Sequence, residues 1–519
     1  MSLKLKIKKI DIEAAGKPVA LLNVEDAMEL GVHSTDRVSM TIYGKIINAM
    51  IDVTNDVVKQ GEIGLFRELG KELKVKEGEE VSIEPAHVPD SVYFIKKRLF
   101  GEYLTRPQMF HIISDIVNNK LSDVESVYFI SSAYVKEFTD DETVALTEAM
   151  VDSGQVLEFS RHPVVDKHSI GGIPGNRATM VLTPIVAAAG LLIPKTSSRA
   201  ISSASGTADA MEVLAPVNLS LGEMKRIVMK INACIVWGGS MNLVPADDRL
   251  NQLRYPLRLD PKPFLLSSIL AKKKSVGADK VIIDIPVGKG AKIETEAAAR
   301  SLAYSFISLG AKMGMEVQCI ITPGEKPIGA GVGPALEARD VLKVLYNDPG
   351  APDDLRDKAL SLAGIMLETG GKAARGEGFA LAEKILTSGA ALEKMRQIID
   401  EQGGNAKITV KEVPVGNEVA SIRAKQDGRI YGFDNSAITR LAREAGAPKD
   451  KGAGIDIKVT RGQCVKKDEV LIDIYSEHPA KLEKAIAFTE KEQPVIMEKS
   501  VLGIIGNFQS IVEGGEKYK

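Results

Sequence analysis

Pro163-Val-Val-Asp-Lys-His-Ser-Ile-Gly-Gly-Ile-Pro-Gly-Asn-Arg-Ala-Thr179 runs directly into Met180-Val-Leu-Thr-Pro-Ile-Val-Ala-Ala-Ala-Gly190. The pattern predicts a strand, a glycine-rich loop and an apolar helix, with Gly190 just past the helix end. Such a loop presents backbone N–H groups at a helix N-terminus, where the dipole favours an anion. Lys167 adds a full charge, and Ser169 and Thr179 add hydroxyl donors. A second strand, Leu191 to Lys195, enters Ser197-Ser-Arg-Ala-Ile-Ser-Ser-Ala-Ser-Gly-Thr207, with a helix expected from near Ala208. Two loops at the carboxyl ends of neighbouring parallel strands are where α/β sheets bind ligands. Taken alone, either loop reads as an ordinary βα connection, because Gly/Ser-rich turns are common. Neither has the Walker A spacing. Gly329-Ala-Gly-Val-Gly333 also misses G-x-G-x-x-G and reads as a turn before a helix at Pro334.

Outward from these loops, helix and strand alternate from about Glu158 to Leu345, which implies a parallel α/β sheet. A helix-rich insertion interrupts the alternation. The first stretch of the chain is mostly strand: Leu and Ile alternate with Lys at the start, and Val38-Ser-Met-Thr-Ile alternates again. From Ser91 to Ser153 the apolar spacing is helical. The expected fold class is therefore a multidomain α/β protein. Its parts are an N-terminal β-rich domain (1–86), a helical lobe (88–155 plus 245–277), a central α/β lobe (156–244 plus 278–345) and a C-terminal α/β domain with a strand-rich end (346–519). In that last part, Asp427-Gly-Arg-Ile-Tyr-Gly resembles hairpins of biotinyl or lipoyl carriers. It lacks their modified-lysine turn, so the region reads as structural.

The chain has 519 residues, 44% hydrophobic and 26% charged, with a formal net charge of −2. That balance carries no electrostatic footprint for nucleic acid, so an anionic ligand needs a local cluster of donors. Cys234, Cys319 and Cys464 lie far apart, with neither a disulfide framework nor a zinc spacing. No apolar run is long enough to span a bilayer, and the basic start has no apolar continuation of signal-peptide type. A cytoplasmic location is expected, with no nucleic-acid or membrane partner.

Asp260-Pro-Lys-Pro-Phe-Leu-Leu-Ser-Ser-Ile-Leu-Ala-Lys-Lys-Lys274 opens as a helix with Asp260 as N-cap and Pro261 at its first position. Ser268 and Lys272 share a face of it, and Leu265, Leu266 and Ile269 are expected to be buried. Read alone, Asp260 is a cap and Lys272 belongs to a solvated basic stretch with Lys273 and Lys274. His168 reads as a turn histidine and Lys292 as a surface lysine. Arg249, Arg254 and Arg258 read as solvated or helix-pairing charges, one of which could reach a ligand.

Asp166-Lys-His-Ser-x-Gly-Gly, followed by Ser-x-Arg-x-x-x-x-x-x-Gly-Thr-x-Asp-x-x-Glu212, resembles the thymidine and pyrimidine-nucleoside phosphorylase family, and the resemblance covers roughly residues 90 to 500. It implies that Lys167, Ser169, Thr179 and Thr207 hold the attacking phosphate. The run Ser198-Arg-Ala-Ile-Ser-Ser-Ala-Ser-Gly-Thr207 departs from the pyrimidine enzymes, and the N-terminal strand domain is an addition to them. Both features match the family's archaeal branch, whose members convert AMP and phosphate to adenine and ribose 1,5-bisphosphate. That likeness implies AMP-binding roles for Gly172, Ser198, Arg199, Ala200, Ile201, Ser202, Ser203, Thr207, Ser268 and Lys292. It implies a proton-donor role for Asp260, and it places His168 and Lys272 near the base.

A donor carboxyl must hold its proton at neutral pH, so desolvation of Asp260 in a closed cleft is expected. Hinge closure between lobes would assemble the site and exclude water. Inorganic phosphate is the expected co-substrate, with no cofactor or metal, because lysines and N–H dipoles neutralise it. The enzyme is expected to be a homodimer or higher homo-oligomer acting on a nucleoside monophosphate, AMP before CMP or UMP. Competing readings are a pyrimidine-nucleoside phosphorylase and a phosphoribosyltransferase of the anthranilate type, which Gly175-Asn-Arg-Ala and Ser205-Gly-Thr-Ala-Asp resemble. The third is a non-catalytic nucleotide sensor.

Overall fold

The computed structural model describes residues 2–14, 17–200, 203–254, 256 and 260–497. The chain forms two compact units, Met1–Gly154 with Val244–Ala271, and Gln155–Leu243 with Lys272–Lys519.

The first unit begins with β1 (Leu3–Lys9), β2 (Val19–Asn23), β3 (Arg37–Ile42), β4 (Lys45–Thr54), β5 (Glu62–Leu65) and β6 (Glu80–Pro85). They close a barrel in the order β1-β5-β2-β4-β3-β6, and pairing of β1 with β6 removes the sheet edge. In β1, Leu5 and Ile7 are buried while Lys4 and Lys6 are exposed, the alternation its sequence calls for. Four helices follow: Asp90–Leu99, Arg106–Val117, Asp123–Val135 and Asp140–Asp152. Ser122 with Glu125, and Thr139 with Glu142, form capping boxes that start two of them. Helix Pro245–Arg254 and most of helix Lys262–Ser275 complete the unit. The latter starts two residues later than the sequence suggests. Leu266 and Ile269 are buried as expected, but Leu265 is only half-buried.

In the second unit, β7 (Val165–Ser169), β8 (Ile193–Ser197), β9 (Ala233–Trp237), β10 (Lys280–Val287) and β11 (Glu316–Pro323) are all parallel to their neighbours. β11-β10-β7 form one sheet and β8-β9 another, and the bridge Val164↔Leu192 joins them. β10 is buried everywhere but at its two ends, as a parallel strand covered on both faces must be. Helix Ala178–Ala188 is almost entirely buried and ends before Gly190, whose φ of +86° is the left-handed stop that glycine supplies. Helices Pro334–Leu345, Asp353–Thr369, Gly378–Thr387 and Ala390–Glu401 lead to two small C-terminal sheets packed around Ile438, Leu441, Ile455, Ile472 and Ile474. The run Gly329–Gly333 is more than a turn: Gly331–Val332 pair as a short strand with Ile455 and Asp456.

Candidate functional site

Side chains alternate across a strand, so Asp166-Lys-His-Ser169 in β7 splits between two faces. Lys167 and Ser169 share one face, and the register sets Ser169 directly beside Asp284 of β10. Lys167 is buried. Its Nζ lies 3.3 Å from Thr179 Oγ1 and 3.4 Å from Asp284 Oδ2. Three predicted phosphate residues, Lys167, Ser169 and Thr179, are therefore within one hydrogen-bonded cluster. Its hub is Asp284 of β10, a residue outside both glycine-rich loops. Asp284 accepts from Ser169 Oγ at 2.9 Å and from Thr322 Oγ1 at 2.7 Å, and Lys358 Nζ stands 3.3 Å away. Burial works against the Asp284 carboxylate. The Lys167 and Lys358 charges and the Thr322 and Ser169 hydroxyls overcome it and hold its pKa below the usual value. Burial lowers the pKa of Lys167, and nearby Lys358 adds to that while Asp284 opposes it.

On the other face, Asp166 is buried between Lys195 Nζ (3.1 Å) and Lys273 Nζ (2.6 Å). These two cations outweigh burial and keep its carboxylate ionised. His168 is half-buried. Desolvation, then the charges of Lys273, Lys195, Lys167 and Lys272, push its pKa well below the ordinary value, so it is a neutral imidazole at neutral pH. Lys272 is half-buried, one residue before Lys273 on the same helix.

Backbone shape explains the glycines. Gly172 has φ +93°, and a Cβ there would lie 2.7 Å from the Lys292 backbone nitrogen. Gly172 and Lys292, both predicted to bind nucleotide, are thus brought together, with the Lys292 side chain exposed. Gly206 packs so closely that a Cβ would sit 2.4 Å from the Ser198 carbonyl oxygen, folding the second loop back on itself.

Within that loop, Thr207 opens helix Thr207–Glu212. Arg177 reaches across from the first loop. It donates to Ser205 O at 2.6 Å, approaches Thr207 Oγ1 at 3.4 Å and pairs with buried Glu337. Arg199, expected on the nucleotide, pairs with Glu212 (2.5 Å) and Asp209 (3.2 Å) and stacks over Trp237. The Ala200 N–H donates to Asp209, and the Ser203 hydroxyl to Ser205 O. Ser198 is exposed. Ile201 and Ser202 lie outside the described residues. Ser197, at the end of β8, has a buried Oγ without a hydrogen-bond partner among the described residues.

The first unit holds Asp260 and Ser268. The Asp260 side chain is 45% exposed, and its Oδ1 lies 3.2 Å from Arg254. Its N–H donates to the Tyr134 hydroxyl. Within the first unit the Asp260 side chain is thus part-exposed and ion-paired, and the desolvation expected of it belongs to a closed cleft. Arg254, read as solvated or helix-pairing, is buried and is the acid's ion-pair partner, while Arg249 pairs with Asp123. Arg258 lies outside the described residues. Ser268 is half-buried on helix Lys262–Ser275, one turn before Lys272.

Among the described residues, Asp450, Glu477 and His478 have the spacing to hold a metal ion. Lys481 already occupies Asp450 at 2.6 Å, and the Gly452 N–H occupies Glu477. No helix of the described residues is long and apolar enough to cross a membrane.

Residues 161–392 match the model of the glycosyl transferase family a/b domain, and residues 92–154 that of the same family's helical bundle domain. Residues 430–495 match the pyrimidine nucleoside phosphorylase C-terminal domain. An AMP phosphorylase of Methanococcoides burtonii is 44% identical over 98% of this chain and 100% of its own length. One of Thermococcus kodakarensis is 46% identical over 97% and 100%. The chain belongs to the AMP phosphorylase family. Anthranilate phosphoribosyltransferase from Thermus thermophilus superposes with a TM-score of 0.51 at 19% identity, over 60% of this chain and 99% of that one. That likeness is one of fold alone. Lys167, Ser169 and Thr179 meet in one hydrogen-bonded cluster of the second unit, within the stretch that matches the a/b domain.

Proposed function

We propose that the protein cleaves AMP with inorganic phosphate, yielding adenine and ribose 1,5-bisphosphate. The observation that carries this reading is the cationic cluster of Lys167, Ser169 and Thr179 around Asp284, in a chain homologous throughout its length to AMP phosphorylases. A Lys167 Nζ to Asp284 distance of 3.4 Å exceeds the ~2.7–2.9 Å of a charge-assisted bond, so the lysine is not spent on its neighbour. Phosphate held there offers an oxygen to C1′. As the new C1′–O bond forms, the C1′–N9 bond breaks and its electron pair passes to the purine. Asp260 is the proposed donor of a proton near N7, which makes adenine a better leaving group. Lys292 and the backbone around Gly172 and Ser198–Ser203 are proposed to take the 5′-phosphate. Neutral His168 and Lys272 are proposed to face the base.

A panel of AMP, CMP, UMP, thymidine and uridine with phosphate tests the substrate, and AMP is expected to be fastest. Thymidine turned over faster than AMP would favour a pyrimidine-nucleoside phosphorylase instead. Asp260→Asn is expected to lower kcat about 10²- to 10⁴-fold. An unchanged kcat in that variant removes only the acid assignment.

A further inference from the structure

Asp284 carries more positive charge than one carboxylate needs. Lys167 stands 3.4 Å from its Oδ2 and Lys358 3.3 Å from the same oxygen. Lys358 comes from helix Asp353–Thr369, far along the chain from either glycine-rich loop, and its side chain is only 10% exposed. It also donates to Thr322 Oγ1 at 3.0 Å, and Thr322 donates to Asp284 Oδ1. The same two-to-one ratio recurs on the opposite face of β7, where Lys195 and Lys273 share Asp166.

We infer that Lys358 is a positioning residue for the phosphate nucleophile: it neutralises Asp284, so that Lys167 and Ser169 can turn to phosphate without leaving a bare buried carboxylate. The identity of the arriving anion rests on the phosphorolysis reading. A buried carboxylate stripped of its cation is strongly disfavoured. If Lys167 were the sole counter-ion of Asp284, drawing it toward phosphate would incur that cost at every binding event. With Lys358 and Thr322 in place, Asp284 keeps an ion pair and a hydrogen bond, and the charge of Lys167 remains available. Burial on helix Asp353–Thr369 is unusual for a lysine, whose ammonium ordinarily reaches water.

The test is calorimetric titration of inorganic phosphate, and separately of AMP, into the parent protein, Lys358→Met and Lys358→Arg. Lys358→Met is expected to weaken phosphate binding about tenfold while AMP binding stays within about twofold, and Lys358→Arg to recover part of the loss. Unchanged phosphate affinity in Lys358→Met overturns the inference, as does an equal loss for both ligands. If Lys358→Met does not fold, Thr322→Val, which removes the hydroxyl that locates Lys358, must weaken phosphate binding selectively. Phosphate affinity within twofold of the parent in Thr322→Val then overturns it. If the parent binds phosphate too weakly without nucleotide, the KM for phosphate in the same variants reads the same contrast. Phosphate binding without adenine release would defeat the phosphorolysis reading alone, since Lys358 is still read by titration.

Discussion

The two glycine- and serine-rich loops look alike in sequence and differ in how they use charge. The first places Lys167 inside the unit, buried and loosely held near Asp284. The second turns its one cation, Arg199, onto Glu212 and Asp209 and over Trp237. Both contain donors, but only the first has a cation facing its hydroxyls without a tight partner. A basic residue in a phosphate-type loop is therefore no guide to function until its counter-ion is known. The first loop is read as supplying charge, and the second as supplying backbone and hydroxyl groups on a frame braced by Arg199.

The sharpest way to break this contrast is Lys167→Met. It is expected to lower kcat/KM for phosphate about 10²- to 10³-fold, the effect of losing a preorganised electrostatic donor. Steady-state kinetics at saturating AMP checks it, and a loss below about tenfold would put the charge elsewhere.

Arg177→Met probes the link between the loops. It leaves Glu337 buried and unpaired, and burial already raises the pKa of that carboxyl against the pull of Arg177. Stability is expected to fall by about 3–5 kcal/mol in denaturant unfolding, with Glu337→Gln restoring part of it in the double variant. No recovery would mean that Arg177 acts through its Ser205 and Thr207 contacts alone.

Arg199→Met should separate the loops by its mildness. The KM for phosphate is expected to stay within about threefold, with a loss of about 1 kcal/mol in stability from the ion pair and ring contact. A large rise in that KM would assign Arg199 to the phosphate and remove the contrast.

The smallest effect is on pH dependence. The Arg199 hydrogen bond, opposed by burial and helped by Lys451, holds the Glu212 carboxyl at a pKa of about 2 instead of 4.5. A depressed carboxylate pKa adds stability above the unfolded value and loses it as the pH falls toward the folded one. Melting temperature should therefore drop between pH 4.5 and about 2, and Glu212→Gln should flatten that slope. An unchanged slope would remove the pair from the frame.

These contrasts mark how far the residues could be read in advance. The strand, loop and helix at 163–190 were legible because a β-rich run, clustered glycines and an apolar helix each carry a local signal. Lys167, Ser169 and Thr179 followed from that local frame. Asp284 and Thr322 were not legible as a site, since each sits in a strand whose neighbours are apolar. Lys358 reads as the polar face of an amphipathic helix that begins Asp-Asp-Leu-Arg-Asp. Pairing across the parallel sheet joins them, and such register has no signature within any one segment. The directions of Arg199 and Arg254 were hidden for a related reason: a charged side chain's burial depends on its partner, and sequence shows only its type. The barrel was foreshadowed by alternation, while its closure through β1 and β6 is a long-range fact.

The most direct test of the account is a ³¹P and chromatographic product analysis of the purified protein with AMP and inorganic phosphate. The account predicts adenine released in equal amount with a ribose carrying two phosphates, and no adenine when phosphate is omitted. No adenine with both substrates present, or adenine formed equally without phosphate alongside ribose 5-phosphate, would contradict it.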